Sequence, residues 1–211
     1  MRIEGMSGVQ ALTDQVPSIA RMGKQGEVMV SELHGRYYEQ TYRGNVFMLS
    51  VSTAAAVTAF SGGAGGTPML AIYNPVGSGK NAAILKSTLG NVVAASVAGT
   101  VAFGLYFGQT AAITQATTTT PTNCATLAAA GSVMTGFRNI ALTSSTAATN
   151  VHALGSYYWA TAAGAIQTPN APADLEGSLI IPPGSYVALG GSAALTSATW
   201  IGSLVWEEVP V

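Results

Sequence analysis

Leu89–Phe107 reads LGNVVAASVAGTVAFGLYF, 19 residues long. That length is enough to cross a bilayer as a helix. Only eight of the 19 are Leu, Val or Phe, however, and no Lys/Arg cluster beside the stretch fixes an orientation. Its second half alternates. Val97, Val101, Phe103, Leu105 and Phe107 fall on one side, and Ala98, Thr100, Ala102 and Gly104 on the other, ending at Tyr106. A two-residue period is the signature of a strand, not a helix. The sequence therefore predicts a β protein and no membrane partner.

Similar runs recur on both sides of this stretch. Val46–Ser52, Met69–Tyr73, Ala82–Thr88, Val92–Val97 and Thr100–Phe107 come first, then Phe137–Thr143, Val151–Thr161, Leu179–Ile181, Tyr186–Leu189 and Trp200–Glu207. Gly, Pro and Asn clusters separate them, among them Gly62–Gly66, Asn74–Asn81 and Pro182-Pro183-Gly184. Many short strands between turn signals indicate an antiparallel sandwich. The expected fold is all-β, a jelly-roll-like sandwich with an extended N-terminal arm. Trp200, Leu204 and Trp206 share one face of the last strand, and core burial is expected for all three. A short helix is expected at Ala125–Val133 or within the arm, and Thr117–Thr122 has the composition of a surface loop.

The charge distribution divides the chain. Of 211 residues, 8% are charged, against about 25% in an average soluble domain. Ten of the 17 charges lie in residues 1–45, and Glu207 and Glu208 lie at the C-terminal end. Residues 46–206 hold only Lys80, Lys86, Arg138, Asp174 and Glu176. The predicted organisation is a docking arm, 1–45, and a β-sandwich body, 46–211. Ala, Gly, Thr and Ser together supply 101 residues, so the body has little charge with which to cover a free surface.

The same numbers exclude several functions. A net charge of −1 gives no basic footprint for nucleic acid. Hydrophobic residues at 48% argue against disorder, and a single cysteine, Cys124, excludes a disulfide framework. Met1–Lys24 has no apolar core of the kind a secretory signal needs, so the chain is expected to be made and kept in a cytoplasm until assembled.

No catalytic constellation emerges. Asn74–Asn81, NPVGSGKN, resembles a phosphate-binding loop only at Gly79-Lys80. Asn74 stands where the first Gly belongs, and Asn81 where the Ser/Thr hydroxyl belongs. It reads instead as a hairpin loop, with Asn-Pro opening it and glycines taking positive φ. His34 and His152 are the only histidines and stand apart. Asp174 and Glu176 read as solvated loop charge, with a weak cation site as the lesser reading. Glu207 and Glu208 are adjacent, so on a strand they face opposite ways and make a poor catalytic pair. The expectation is no enzyme, no cofactor and no metal.

The arm is the most distinctive segment. Glu32–Gly44, ELHGRYYEQTYRG, interleaves charges of both signs with three tyrosines. Tyr and Arg are enriched at protein interfaces. Glu32, His34, Arg36, Tyr37, Tyr38, Glu39, Tyr42 and Arg43 are therefore the candidate partner-contact residues. A second candidate is Tyr157-Tyr158-Trp159, which could form a stacking surface for sugar rings.

Three segments, ELHGRYYEQTYRGNVF at 32–47, MLAIYNPVGSGKNAAILK at 69–86 and GSLVWEEVPV at 202–211, give the chain a layout that resembles structural proteins of tailed-phage virions. Head decoration (cement) proteins and fibre or knob proteins are similar: small, charge-poor β-sandwiches with an N-terminal extension. The resemblance implies a homo-oligomer, commonly a trimer, clamped by its arm on the major capsid protein or another virion protein. The alternative it implies is a tail- or head-fibre knob that binds a host receptor or glycan.

Overall fold

A computed structural model describes residues 35–55, 68–93, 99–110, 113, 118–138, 148–159, 172–192 and 198–211. The chain divides into two units, Met1–Glu39 and Gln40–Val211. Among the described residues a short helix, α1 (Tyr38–Tyr42), spans the division, and ten strands follow. They are β1 (Val46–Ala55), β2 (Leu70–Asn74), β3 (Lys80–Val93), β4 (Gly99–Gln109), β5 (Thr122–Asn123), β6 (Thr135–Arg138), β7 (Thr149–Trp159), β8 (Ala173–Ile181), β9 (Ser185–Gly191) and β10 (Thr199–Pro210).

The strands form two antiparallel sheets. Sheet 1 runs β5-β1-β10-β3-β8 and sheet 2 runs β6-β2-β9-β4-β7. Setting aside the short β5 and β6, the antiparallel pairs are nested: β1 with β10, β2 with β9, β3 with β8, β4 with β7. Successive pairs alternate between the sheets. A long hairpin rolled upon itself gives this order, and it is that of an eight-stranded jelly roll.

The alternation expected in β4 decides its faces. Val101, Phe103 and Leu105 are buried between the sheets with Phe107 packed against them. Trp200, Leu204 and Trp206 of β10 meet them from sheet 1, all fully buried. Phe103 lies 4.4 Å from Trp200, ring centre to ring centre, and Trp206 stacks on Phe47 at 6.3 Å.

A second, smaller core lies on the outer side of sheet 2. Tyr73, Phe137, Tyr186 and Tyr106 cluster there with Ala71, Ala148 and Ala188, and Ile113 packs on them. Both faces of β2 and β9 are consequently buried, which is why MLAIY and SYVAL read as continuous apolar runs without alternation. Gly108 is paired with Tyr186, and the tyrosine ring lies over it. A Cβ at 108 would stand 2.5 Å from Cε1, Cζ and the hydroxyl of that ring. Gly108→Ala is expected to destabilise the fold by about 1–3 kcal/mol, because a buried ring must move. A thermal melt should show a fall of a few degrees, and an unchanged melt would mean that the ring is free to shift.

Three expectations change. Ala82–Thr88 and Val92–Val97 are not two strands. Residues 80–93 form one strand of 14, with Gly90 tolerated opposite Ile201, and 94–97 lie outside the described residues. Ala125–Val133 is not a helix. The Asn123 side chain accepts from the backbone N–H of Ala125 and Thr126, and Leu127 takes a positive φ of 58°, so the chain turns away at once. Asp174 and Glu176 are not in a loop but on β8, where Asp174 lies 3.9 Å from Lys86. The turn chemistry stands as expected: Gly77, Gly79 and Gly184 all have positive φ.

Candidate assembly surface

The groups with reactive potential serve the fold. Asn74, at the end of β2, is fully buried. Its Nδ2 donates to the carbonyls of Lys80, 2.7 Å, and Ile181, 2.9 Å, and its Oδ1 accepts from the Ser78 hydroxyl at 2.6 Å. One side chain of sheet 2 thus ties the starting end of β3 and the finishing end of β8, both in sheet 1. The loop that resembles a phosphate cradle is folded onto its own asparagine.

Glu207 and Glu208 face opposite sides of β10, as alternation requires. The Glu208 side chain is fully buried. It accepts from Lys80 Nζ at 3.2 Å, from the Ser132 hydroxyl at 2.5 Å and from the Val133 N–H at 3.2 Å. Glu207 points outward, and loss of solvent around it pushes its carboxyl above the usual range. Burial likewise pushes the Cys124 thiol up, away from thiolate chemistry. Among the described residues no three His, Cys, Asp or Glu side chains come together as a metal site would need, and no helix is long and apolar enough to cross a membrane.

The aromatic triplet on β7 does not form one platform. Tyr157 points inward, its ring 5.6 Å from Phe103 and 6.1 Å from Trp200. Tyr158 points outward and is 62% exposed. Trp159 ends the strand, and its side chain lies outside the described residues.

Of the arm residues, Glu32 and His34 lie outside the described residues. Arg36, Tyr38, Glu39, Tyr42 and Arg43 are exposed, and Tyr37 is half-buried. The sequence shows why the helix stops. Gly44 takes φ +77°, its N–H bonds to the Thr41 carbonyl, and the Asn45 N–H reaches back to Gln40. This is the two-bond termination that glycine favours after a helix. The Asn45 amide adds a bond to the Gln40 side chain at 3.0 Å. Beyond it, the Asn45 carbonyl accepts from Glu208 N–H, and the Asn123 side chain donates to the Gly44 carbonyl at 2.7 Å. Residues 40–45 are thus bonded to one another and to β5 and β10 within the unit Gln40–Val211.

The outer face of sheet 1 was not singled out by the sequence reading. Its rows follow from the register. Val46, Glu207, Ala83 and Ile180 lie abreast, then Met48, Val205, Lys86 and Asp174, then Ser50, Ser203 and Thr88. Ile201 and Val209 extend β10 at either end. The alternation that buries Trp200, Leu204 and Trp206 places Ile201, Val205 and Val209 here, so β10 is apolar on both sides; that doubled pattern was the available signal. Ile180 is 54% exposed, Ile201 40% and Val209 39%. No protein-family model matches the chain, and no curated protein proved similar to it.

Proposed function

We propose that this chain is a non-enzymatic structural component of a virion, a capsid decoration or cement protein that docks through its N-terminal arm and self-associates through a charge-poor β face. The observation that carries this reading is the outer face of sheet 1, where exposed Ile180, Ile201 and Val209 stand on a body with five charges between residues 46 and 206. A free surface is normally a quarter to a third charged. A face like this one is kept by proteins that spend their working life in an assembly. The arm supplies what the body lacks: Arg36, Tyr38, Tyr42 and Arg43, residue types that dominate interface energetics, stand exposed at its junction with the body.

The test is binding to capsids that lack the protein, measured by co-sedimentation. The cut belongs after Glu39, because Gln40 and Asn45 are hydrogen-bonded to each other and Asn45 to β10. Residues 40–211 should keep the wild-type melt and lose capsid binding. The triple variant Arg36→Ala, Tyr38→Ala, Tyr42→Ala should bind roughly 10- to 100-fold more weakly. A truncated chain that saturates capsids as well as the whole one would refute the arm's role.

A further inference from the structure

The described body offers a partner few places to sit. Both long edge strands are bulged. β7 loses register with β4 twice, with Gly155 at φ +128°, and β8 swings out at Glu176 and Gly177, both with positive φ. Bulges of this kind turn an edge away from pairing, and Asp174 and Glu176 add charge to the second edge. The opposite edges, β5 and β6, are two and four residues long. The outer side of sheet 2 is occupied by its own tyrosine-rich cluster, and toward its other end it carries Thr100, Ser156 and Ser192 beside a single exposed ring, Tyr158, among the described residues. The outer face of sheet 1 remains.

We propose that a second copy of this chain covers that face across a two-fold axis, so that Glu207 of each copy meets the partner subunit's Lys86. The inference rests on the assembly reading above and names its self-contact. Area and charge both favour a second copy. Four strands abreast span about 19 Å and β10 from Ile201 to Val209 about 30 Å, so the face is on the order of 600 Å2 in flat projection. A standard interface takes roughly 800 Å2 of accessible surface per partner, which a corrugated face of this projection approaches. The register places Glu207, Lys86 and Asp174 on the face. Lys86 lies opposite Val205, one strand over and two residues along from Glu207, a diagonal of about 8 Å. A two-fold axis lying in the face midway between them exchanges their positions, so each carboxylate lands on the partner subunit's ammonium. Glu207 sits among Val46, Ala83 and Val205, where solvent is already thinned, and the half-exposed Lys86, 3.9 Å from Asp174, stands on the same face.

Sedimentation equilibrium of the full chain tests this. The wild type should be a dimer. Glu207→Lys sets lysine against lysine across the interface, and Lys86→Glu sets glutamate against glutamate. Each alone should weaken self-association roughly 30-fold or more. An equimolar mixture of the two variants should restore the dimer, because each then meets the opposite charge; a defect within one subunit would not be rescued by mixing. Ile201→Asp, away from the charged pair, should also dissociate the dimer, and it carries the test if either charge variant fails to melt as the wild type does. A wild type that stays monomeric, a trimer mass, single variants as associated as the wild type, or a mixture that stays dissociated would each overturn the proposal. Capsid binding is read separately: a dimer that leaves capsids bare sinks the virion reading and leaves this contact standing.

Discussion

Asn74→Asp is expected to lower the stability of the body by roughly 3–6 kcal/mol at neutral pH. The reason is donor count. Asn74 Nδ2 gives one hydrogen to the Lys80 carbonyl at 2.7 Å and the other to the Ile181 carbonyl at 2.9 Å. An aspartate puts a charged oxygen where that amide nitrogen stood, facing two carbonyl oxygens in a site with no solvent access. The Ser78 hydroxyl satisfies only the other oxygen. A melting temperature about 10–20 °C lower follows for a body of this size. The pH dependence gives the sign. Once protonated, the introduced carboxyl can donate to one carbonyl, so the folded state holds its proton more tightly than the unfolded chain, whose carboxyl titrates near 3.9. The folded pKa is raised, so the penalty grows as pH rises above the unfolded pKa and is complete above the folded one. The gap between variant and wild type should therefore narrow as pH falls from 7 toward 4. Asn74→Ala, which removes one donor from each of the two carbonyls without adding charge, should show a smaller loss and no such narrowing. An Asn74→Asp variant that melts within a degree or two of wild type at pH 7 would mean that the two sheets are not joined there.

Asn74 also shows what the sequence could disclose. Its place before Pro75 marked a loop, and the loop is there, closed by a bond from Ser78 N–H to the Pro75 carbonyl with Gly77 at φ +79°. That the side chain reaches Ile181, 107 positions on, was not legible, because nothing local encodes it. The same divide runs through the fold. Alternation at Val101, Phe103, Leu105 and Phe107 is a local pattern, and it placed β4 and the class of fold. The nested pairing of the jelly roll is fixed by contacts far apart in sequence. The tyrosine cluster on sheet 2 was hidden for a related reason. Tyr73, Tyr106, Phe137 and Tyr186 come from four strands, and a strand buried on both faces has no period to read. Of the two places offered for a short helix, the arm has one, at Tyr38–Tyr42, while at Ala125–Val133 the Asn123 side chain bonds to the turn instead. For the proposed assembly surface, charge scarcity pointed toward a partner but to no place on the body. The location lay in the off-phase apolar residues of β10, visible once both faces of that strand are read.

Glu208→Ala should cost about 2–4 kcal/mol, and its effect should come from the backbone it holds more than from its ion pair. Breaking a buried pair by removing one partner commonly costs about 3–5 kcal/mol, because a charge is left stranded. Here the surviving partner is not stranded. The Lys80 side chain is 32% exposed, so its ammonium can turn to water when the carboxylate is gone. The other side of the site is held more closely: the Ser132 hydroxyl and the Val133 N–H, both half-buried, bond to Glu208, and Met134 N–H bonds to Ser132 Oγ in turn. The carboxylate is thus the anchor by which the segment leading into β6 is fastened to β10. Three variants separate these contributions. Glu208→Gln keeps an acceptor for Ser132 and Val133 but offers Lys80 an amide hydrogen, so it should lose less than Glu208→Ala. Lys80→Ala removes only a partly solvated cation and should lose least, about 1 kcal/mol or under. Chemical denaturation gives that order, and hydrogen exchange reads the cause: the Val133 amide should lose protection in Glu208→Ala and keep it in Lys80→Ala. If Lys80→Ala proves as damaging as Glu208→Ala, the ion pair is the support. If Val133 exchanges no faster without the carboxylate, the anchor lies elsewhere.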